Sequence, residues 1–586
     1  MTINQLPWRV LIPETDSWQS VFDAPLPATR TEDAFETVQA RLCYGLQQFC
    51  HPWGYSRTLL LRAPEDSETL ALITDAVRRT HVPGATQYGG HYLIDGNTVT
   101  FTAAGGRAGD FTATGEVVTA EWIENDQLFG CVRQHNQGIT LQPGLLHKAN
   151  GGVLILSMRS VLAQPLLWLR LKEMVTRQRF EWLSPDETRP LPLSIPGMPL
   201  DVKLILTGDR EAMADFQETE PELAESAIYC EFEETLSLEQ EDARTAWTGW
   251  ISAIAGQQKL PLPLKDAWPL LLREAVRYSG DQSILPLSPG WIQRQLKEVA
   301  IISNGDPFSA EQFRTMLDQR EWRENYLAGR MQDEILQEQI LIETEGEQVG
   351  QINALSVIEF PGHPRAFGEP SRISCVVHIG DGEFTDVERK AELGGNIHAK
   401  GMMIMQAFLM SELQLEQQIP FSASITFEQS YSEVDGDSAS LAELCALISA
   451  LADVPIRQHL AITGSVDQFG RVQPVGGLNE KIEGFFRICE QRGFTGDQGV
   501  IIPTANVQHL SLHQDILDAV ESGTFSLWGV DSVEDALPLL TNVIWDGEGR
   551  PSLLQAISER IAQASQQEGR NRYPWPLRWL NWFNHN

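Results

Sequence analysis

The sequence predicts a multi-domain α/β protein: a parallel α/β domain, a helical subdomain after it, and a second α/β domain toward the C-terminus. Three observations carry that prediction. At 586 residues the chain is too long for one hydrophobic core, and roughly three to five domains is the prior. Strand–loop–helix units recur over residues 58–78 and 153–207, the alternation from which parallel sheets are built. From about 235 to 340 the pattern is helical, charged on one face and apolar on the other; beyond the acidic linker 343–347, period-two and continuous apolar runs return.

The elements justify themselves in order. Residues 1–50 begin irregular, with Pro7, Pro13, Pro25 and Pro27, and end in a helix over 32–46. A strand at 58–62, a turn at 63–67 and a helix at 68–78 follow, as at the start of a nucleotide-binding sheet. That turn is where the phosphate cradle G-x-x-x-x-G-K-[ST] belongs. Here Arg62 and Ser67 stand at the glycine positions, Glu68 at the lysine position, and only Thr69 fits. A carboxylate facing a phosphate at 4 Å is repelled by about 4 kcal/mol in a protein-like dielectric. Residues 82–140 read as small strands and loops, 115–119 among them, inserted in the sheet domain. The buried strand 153–156 ends in Ser157 and Met158, where an Asp-Glu pair would serve magnesium. Helix 165–172 and strand 201–207 complete a further unit. Helices are expected at 238–255, 265–278, 289–301 and 310–337, then strands at 351–360 and 372–379 and a helix at 397–413.

Composition excludes several functions. Hydrophobic (42%) and charged (21%) fractions are ordinary for globular proteins, but the net charge of −35 is not. It argues against nucleic acid as a main partner and disfavours anionic membranes, leaving solubility as the simpler meaning. Residues 1–13 hold one basic residue and no long apolar run, so no secretory leader is expected. No run of about 18 apolar residues suggests a membrane span. Seven scattered cysteines without CxxC spacing fit buried thiols in a reducing cytoplasm, with Cys445 and Cys489 in the core. Twelve histidines form no metal signature.

The chemistry concentrates in residues 421–492. A half-buried strand at 421–427 leads through a polar turn into a helix at 438–452 that is apolar on nearly every side and therefore buried. Ser438 falls in its first turn, with Asp437 or Asp435 as cap. Forty-three residues later Lys481 lies on a second helix, among Leu478, Ile482, Phe485 and Cys489, opposite Glu480, Glu483, Arg487 and Glu490. Two readings stand on spacing alone. A lysine desolvated on an apolar face loses its proton readily and becomes a general base for a serine hydroxyl. Alternatively Lys481 snorkels to solvent and Ser438 is an ordinary helix-start residue.

These residues together resemble the Lon family of serine peptidases, in the branch that fuses an AAA+-type module directly to the peptidase domain. Residues 427–440 (FEQSYSEVDGDSAS) resemble the nucleophile motif; Thr463-Gly-Ser-Val through Gly470, followed by 474–481 (PVGGLNEK), resembles the motif that carries the catalytic lysine. Residues 145–156 are similar to the family's Walker B approach and 199–209 to its sensor strand, so the likeness spans nearly the whole chain. It implies an AAA+-like domain at 51–234, a helical lid at 235–342, a Lon-type peptidase domain at 343–545 and a Trp-rich tail from 546. Ser438 is then the nucleophile and Lys481 the base. Asp435 is a carboxylate that contacts the lysine at rest, and Thr463 either bonds the lysine amine or is a plain strand threonine. Family members use ATP and magnesium. Here the Walker A residues (Arg62, Ser67, Glu68, Thr69), the Walker B residues (Ser157, Met158) and the arginine-finger position (Ala224) all depart, which implies an ATP-independent peptidase. The resemblance also implies a hexameric ring acting on unfolded or damaged proteins. An ATP-dependent protease using a neighbouring subunit's site, and a non-catalytic ring that binds partners, are the rival readings. The basic residues interleaved with tyrosine and tryptophan over 570–583 suit a membrane interface, a partner groove or nucleic-acid bases, and packing on its own or a neighbouring subunit is the favoured expectation.

Overall fold

The computed structural model describes residues 4–24, 30–83, 86–136, 138–184, 188–414, 420–430, 434–547 and 549–571. The aromatic run of the tail, beyond 571, lies outside them. The chain divides into two compact units, residues 20–263 with 286–308, and residues 1–19 with 264–285 and 309–586.

The first unit is built on a five-stranded parallel sheet: β1 (Thr58–Arg62), β2 (Val117–Ala120), β3 (Val153–Ser157), β4 (Lys203–Gly208) and β5 (Ile228–Glu231), in the order β5-β1-β4-β3-β2. The central strands are continuous apolar runs (TLLLR, VLILS, KLILTG), as strands covered on both faces require. Helix α1 (Ser67–Thr80) returns from β1. Three expectations change here. The stretch read as a small insert at 115–119 is β2, an edge member of the main sheet paired with β3. The single helix expected at 32–46 is two, Thr31–Val38 and Ala40–Cys50. They part at Gln39, whose buried amide bonds the backbone of Glu233 on both sides, at 2.7 and 2.8 Å. A buried amide needs both bonds, and apolar spacing carries no trace of that demand. The third change is that the helix expected at 310–337 is broken at Asn325 into Ala310–Glu324 and Tyr326–Leu336.

The second unit carries α2 (Trp268–Ser279), α3 (Tyr326–Leu336) and a seven-stranded mixed sheet. Its strands are β6 (Gln351–Ile358), β7 (Phe367–Ile379), β8 (Phe384–Asp386), β9 (Phe421–Phe427), β10 (Leu460–Ile462), β11 (Gly499–Pro503) and β12 (Ser526–Val530), in the order β8-β9-β7-β6-β10-β11-β12. Neighbouring residues alternate between the two faces, as strand geometry dictates. Ile352, Ala354, Leu460, Ile462 and Ile501 face one core, with α4 (Asn396–Leu413) and α5 (Ser440–Ala452). Leu355, Ala461, Val500 and Ile502 face the other, with α6 (Leu478–Arg492). All thirteen residues of α5 are buried, as its apolar circumference predicts. Each leucine so buried contributes about 1.5–3 kcal/mol. All seven cysteines are free, and Cys445 and Cys489 are fully enclosed. No helix among the described residues is long and apolar enough to cross a membrane.

Helix α6 approaches β7 so closely that two glycines are required. A Cβ on Gly368 would overlap the Glu480 carbonyl oxygen, and one on Gly484 the Gly368 carbonyl oxygen. Backbone cannot yield there as a flexible side chain would. Gly368→Ala and Gly484→Ala should each cost about 1–3 kcal/mol of stability in urea denaturation of the intact chain. Wild-type stability in both variants would refute this packing.

Candidate active site

Strand β9 and helix α5 are joined by the turn that holds Ser438. Helix α5 starts at Ser440 with Ala439 as its N-cap, so Ser438 sits just before the helix and not in its first turn. Gly436 permits the bend with a φ of +137°, which a side chain would resist. The turn is tied down on both sides. The Ser438 carbonyl accepts from the Gly464 N–H at 2.9 Å and from Thr463 Oγ1 at 3.4 Å. The Val466 N–H donates to Ser440 Oγ at 3.1 Å, and Ser465 Oγ donates to the Asp437 carboxylate at 2.9 Å. Asp437 therefore serves the turn, and it does not cap the helix through its side chain.

Lys481 comes from the other side, on the second turn of α6. Its Nζ lies 3.1 Å from Ser438 Oγ and 3.3 Å from Thr463 Oγ1, and the residue is only 3% exposed. The helix is aimed by its ends and its outer face. Gly477, in the left-handed region at φ +64°, starts it directly against Val357. On the opposite side Arg277 of α2 holds Glu483 through two bonds at 2.5 and 2.6 Å and reaches Glu480 at 3.4 Å. That guanidinium outweighs desolvation and holds the Glu483 carboxyl down at about 2. Glu480 and Glu483, on the polar face of α6, are thus partners of a half-buried arginine. The reason is that α2, remote in sequence, covers them.

Burial dominates the lysine's chemistry. Desolvation lowers its pKa from 10.5 to about 8, against the opposing pull of Asp437. Asp435, expected at the lysine, instead accepts the Ile397 N–H at 3.3 Å near the start of α4. The acidic residue acting on Lys481 is Asp437, whose position next to Ser438 was the available signal. Behind the turn sits a buried polar cluster with no sequence signal, because its members span 57 positions from Asp386 to Glu443. His398 Nε2 is 3.2 Å from Asp386 and 3.8 Å from Glu443, and Glu388 accepts from the Phe427 N–H at 2.8 Å. Burial raises Glu443 to about 8 despite the adjacent histidine. Ser438 and Lys481 open on a cleft of about 560 Å³, walled by β6, the start of β7 and the end of β9.

The nucleotide positions of the first unit are arranged differently. At the start of α1, where a phosphate would sit on free N–H groups, Asp66 occupies the place. Its carboxylate accepts the Thr69 N–H at 2.7 Å and the Thr69 hydroxyl at 2.8 Å. Ser67 Oγ donates to Glu68 at 3.1 Å, and Arg62 pairs with Glu231 and Glu234. At the end of β3, Ser157 Oγ donates to Glu65 and Met158 is fully buried. Ala224 packs against the unit's apolar core. The Thr69 N–H and the side chains of Arg62, Ser67, Thr69 and Ser157 are thus each engaged by a carboxylate of the chain itself.

The parallel sheet is that of an AAA-type module, and the mixed sheet carries a proteolytic domain. The chain matches the family described as LonB-like, AAA domain over residues 114–229, and the Lon protease (S16) C-terminal proteolytic domain over 425–540. It belongs to the Lon protease family. It is 66% identical over 583 residues to an Escherichia coli (strain K12) protein named "Putative Lon protease homolog", which covers 100% of both chains. A Haemophilus influenzae protein of the same name is 42% identical over 92% of this chain and 89% of its own. The archaeal Lon protease of Thermococcus kodakarensis is 25% identical over 72% of this chain and 64% of its own.

The lysine's depressed pKa carries a sign. Between about pH 8 and 10.5 the unfolded chain binds more protons at this site than the folded one. Stability therefore rises with pH across that window, and the burial penalty is fully present below it. Lys481→Met should stabilise the protein at pH 7 by up to about 3 kcal/mol, an advantage that shrinks as pH rises toward 10. Unfolding followed at pH 7, 8, 9 and 10 checks this; a pH-independent difference would contradict a buried, easily deprotonated lysine.

Proposed function

We propose that the protein is a serine endopeptidase in which Ser438 is the nucleophile and Lys481 the general base. The observation that carries the reading is the 3.1 Å approach of a buried lysine amine to a serine hydroxyl on the floor of an open cleft. Neutral Lys481 takes the proton as Ser438 Oγ attacks a peptide carbonyl, and returns it to the leaving amine. An acyl-serine remains, and the free amine then activates a water to release it. Backbone N–H groups around Ser438 receive the oxyanion. Thr463 steadies the amine, and Asp437 and Ser465 hold the turn. Asp435 acts on the entry to α4 rather than on the base in this state. The peptidase domain is assigned to 343–545, after an AAA+-like domain at 51–234 and a lid at 235–342.

The same reading makes the enzyme independent of ATP, supported by Asp66 sealing the start of α1 and by Glu68 and Ser157 at charge-critical positions. The first unit is then a scaffold. Substrates are unfolded or damaged proteins, taken up by a cytoplasmic hexameric ring, with the tail as a contact to a partner or neighbouring subunit.

Ser438→Ala and Lys481→Ala should each lower casein cleavage by at least about a thousandfold. The rate of wild type should climb with pH through about 8 as the lysine loses its proton. Undiminished cleavage by either variant would sink the dyad. In the same assay Mg-ATP should change nothing, and calorimetric titration should register no heat. ATP-stimulated cleavage would favour a neighbouring-subunit nucleotide site. No cleavage by wild type under any condition would favour a binding ring.

A further inference from the structure

The active-site cleft contains one acidic group that the dyad does not use. Four carboxylates line it, Glu359, Glu369, Glu428 and Asp435, against two cations, Arg372 and Lys481. Three of the four are accounted for. Glu428 accepts from Ser374 Oγ at 2.7 Å, Asp435 accepts the Ile397 N–H, and Glu359 is exposed to water. Glu369 is the exception: its Oε1 is buried and has no hydrogen-bond partner. The strand positions it there. Glu369 pairs with Ser356 in the β6–β7 register, and Ser356 in turn bonds Ser371 at 3.0 Å, all three lining the cleft.

Leaving the buried oxygen of this half-buried carboxylate unpartnered costs roughly 1–3 kcal/mol, which a ligand bound in the cleft would offset. No described residue supplies a partner. Arg372, three positions along β7, also lines the cleft, with a buried Nε that has no partner of its own, and no ion pair among the described residues joins it to Glu369. The charged neighbour acting on Glu369 is Glu334 of α3, which is repulsive; with burial it pushes the carboxyl up to about 7. A half-buried carboxylate with one unpartnered oxygen and a second acid nearby is matched by a substrate bearing positive charge.

We propose that Glu369 is a specificity residue, and that the cleft selects extended peptides placing a lysine or arginine side chain against its carboxylate. This rests on the peptidase reading for what becomes of the peptide, but the recognition itself is separable from cleavage. A cation brought to Glu369 replaces the missing partner and screens it from Glu334. The neutral, nearly isosteric Glu369→Gln keeps the shape and removes the attraction.

The test is peptide binding to the Ser438→Ala protein at pH 8, read by fluorescence anisotropy, so that cleavage plays no part. A set of extended peptides carries lysine at one position at a time, each paired with its glutamine counterpart. At one or two adjacent positions the lysine peptide should bind about tenfold tighter, a difference of about 1.4 kcal/mol. Adding Glu369→Gln should bring that ratio close to one, and Glu369→Lys should reverse it in favour of glutamate peptides. A lysine-to-glutamine ratio that Glu369→Gln leaves unchanged, or no lysine preference at any position, overturns the proposal. The wild-type chain, tested in parallel for cleavage, separates the two readings. A Glu369-dependent preference without cleavage leaves recognition standing and removes the peptidase, and cleavage without such a preference does the reverse.

Discussion

The second unit depends on keeping water away from one amine. In water Lys481 would hold its proton far above neutrality; enclosed beneath β6 and β7 it lets go near pH 8. That enclosure is a stability cost, and much of the surrounding architecture is what imposes it. Gly368 and Gly484 let helix and strand backbones touch. Gly477 sets where the helix begins, and Arg277 fastens its outer face through Glu480 and Glu483. On the other side of the sheet, an entirely buried helix fixes the turn of Ser438 to the strand that carries Thr463. Helix, sheet and turn are each held by interactions remote from the serine, so the 3.1 Å separation follows from packing rather than from local sequence.

The first unit keeps a nucleotide-binding geometry while its donors are spent internally. Asp66 is at once a good helix cap and a poor neighbour for phosphate, because a carboxylate on the helix N-terminus satisfies the same N–H groups and field that would draw an anion. The five-stranded order of the sheet survives this change, since it rests on apolar strands buried on both faces and not on the loop. The parallel sheet of the first unit and the mixed sheet of the second are each held by apolar strands covered on both faces.

Much of this was legible in the sequence, and for physical reasons. Continuous apolar runs such as Val153–Ser157 announce doubly covered strands, and the all-round apolarity of residues 440–452 announces a core helix. Lys481 among apolar neighbours leaves burial and snorkelling both open, and the structure buries it. What could not be read depends on partners far away in the chain. Gln39 breaks a helix because Glu233 waits for its amide. Glu483 reads only as a polar-face residue because its partner Arg277 is more than 200 residues away. Asp435 and Asp437 are equivalent by spacing, and only the path of the turn decides which bonds α4 and which acts on the lysine. Glu369 lies in an ordinary strand pattern, and nothing local marks its carboxylate as unpartnered.

The titration of the Lys481 amine reads its desolvation in the intact protein. With ¹³C-labelled lysine, the ε-carbon resonance that disappears in Lys481→Met can be followed from pH 6 to 11. Its midpoint should fall near 8. A midpoint at the ordinary lysine value of 10.5 would contradict that desolvation.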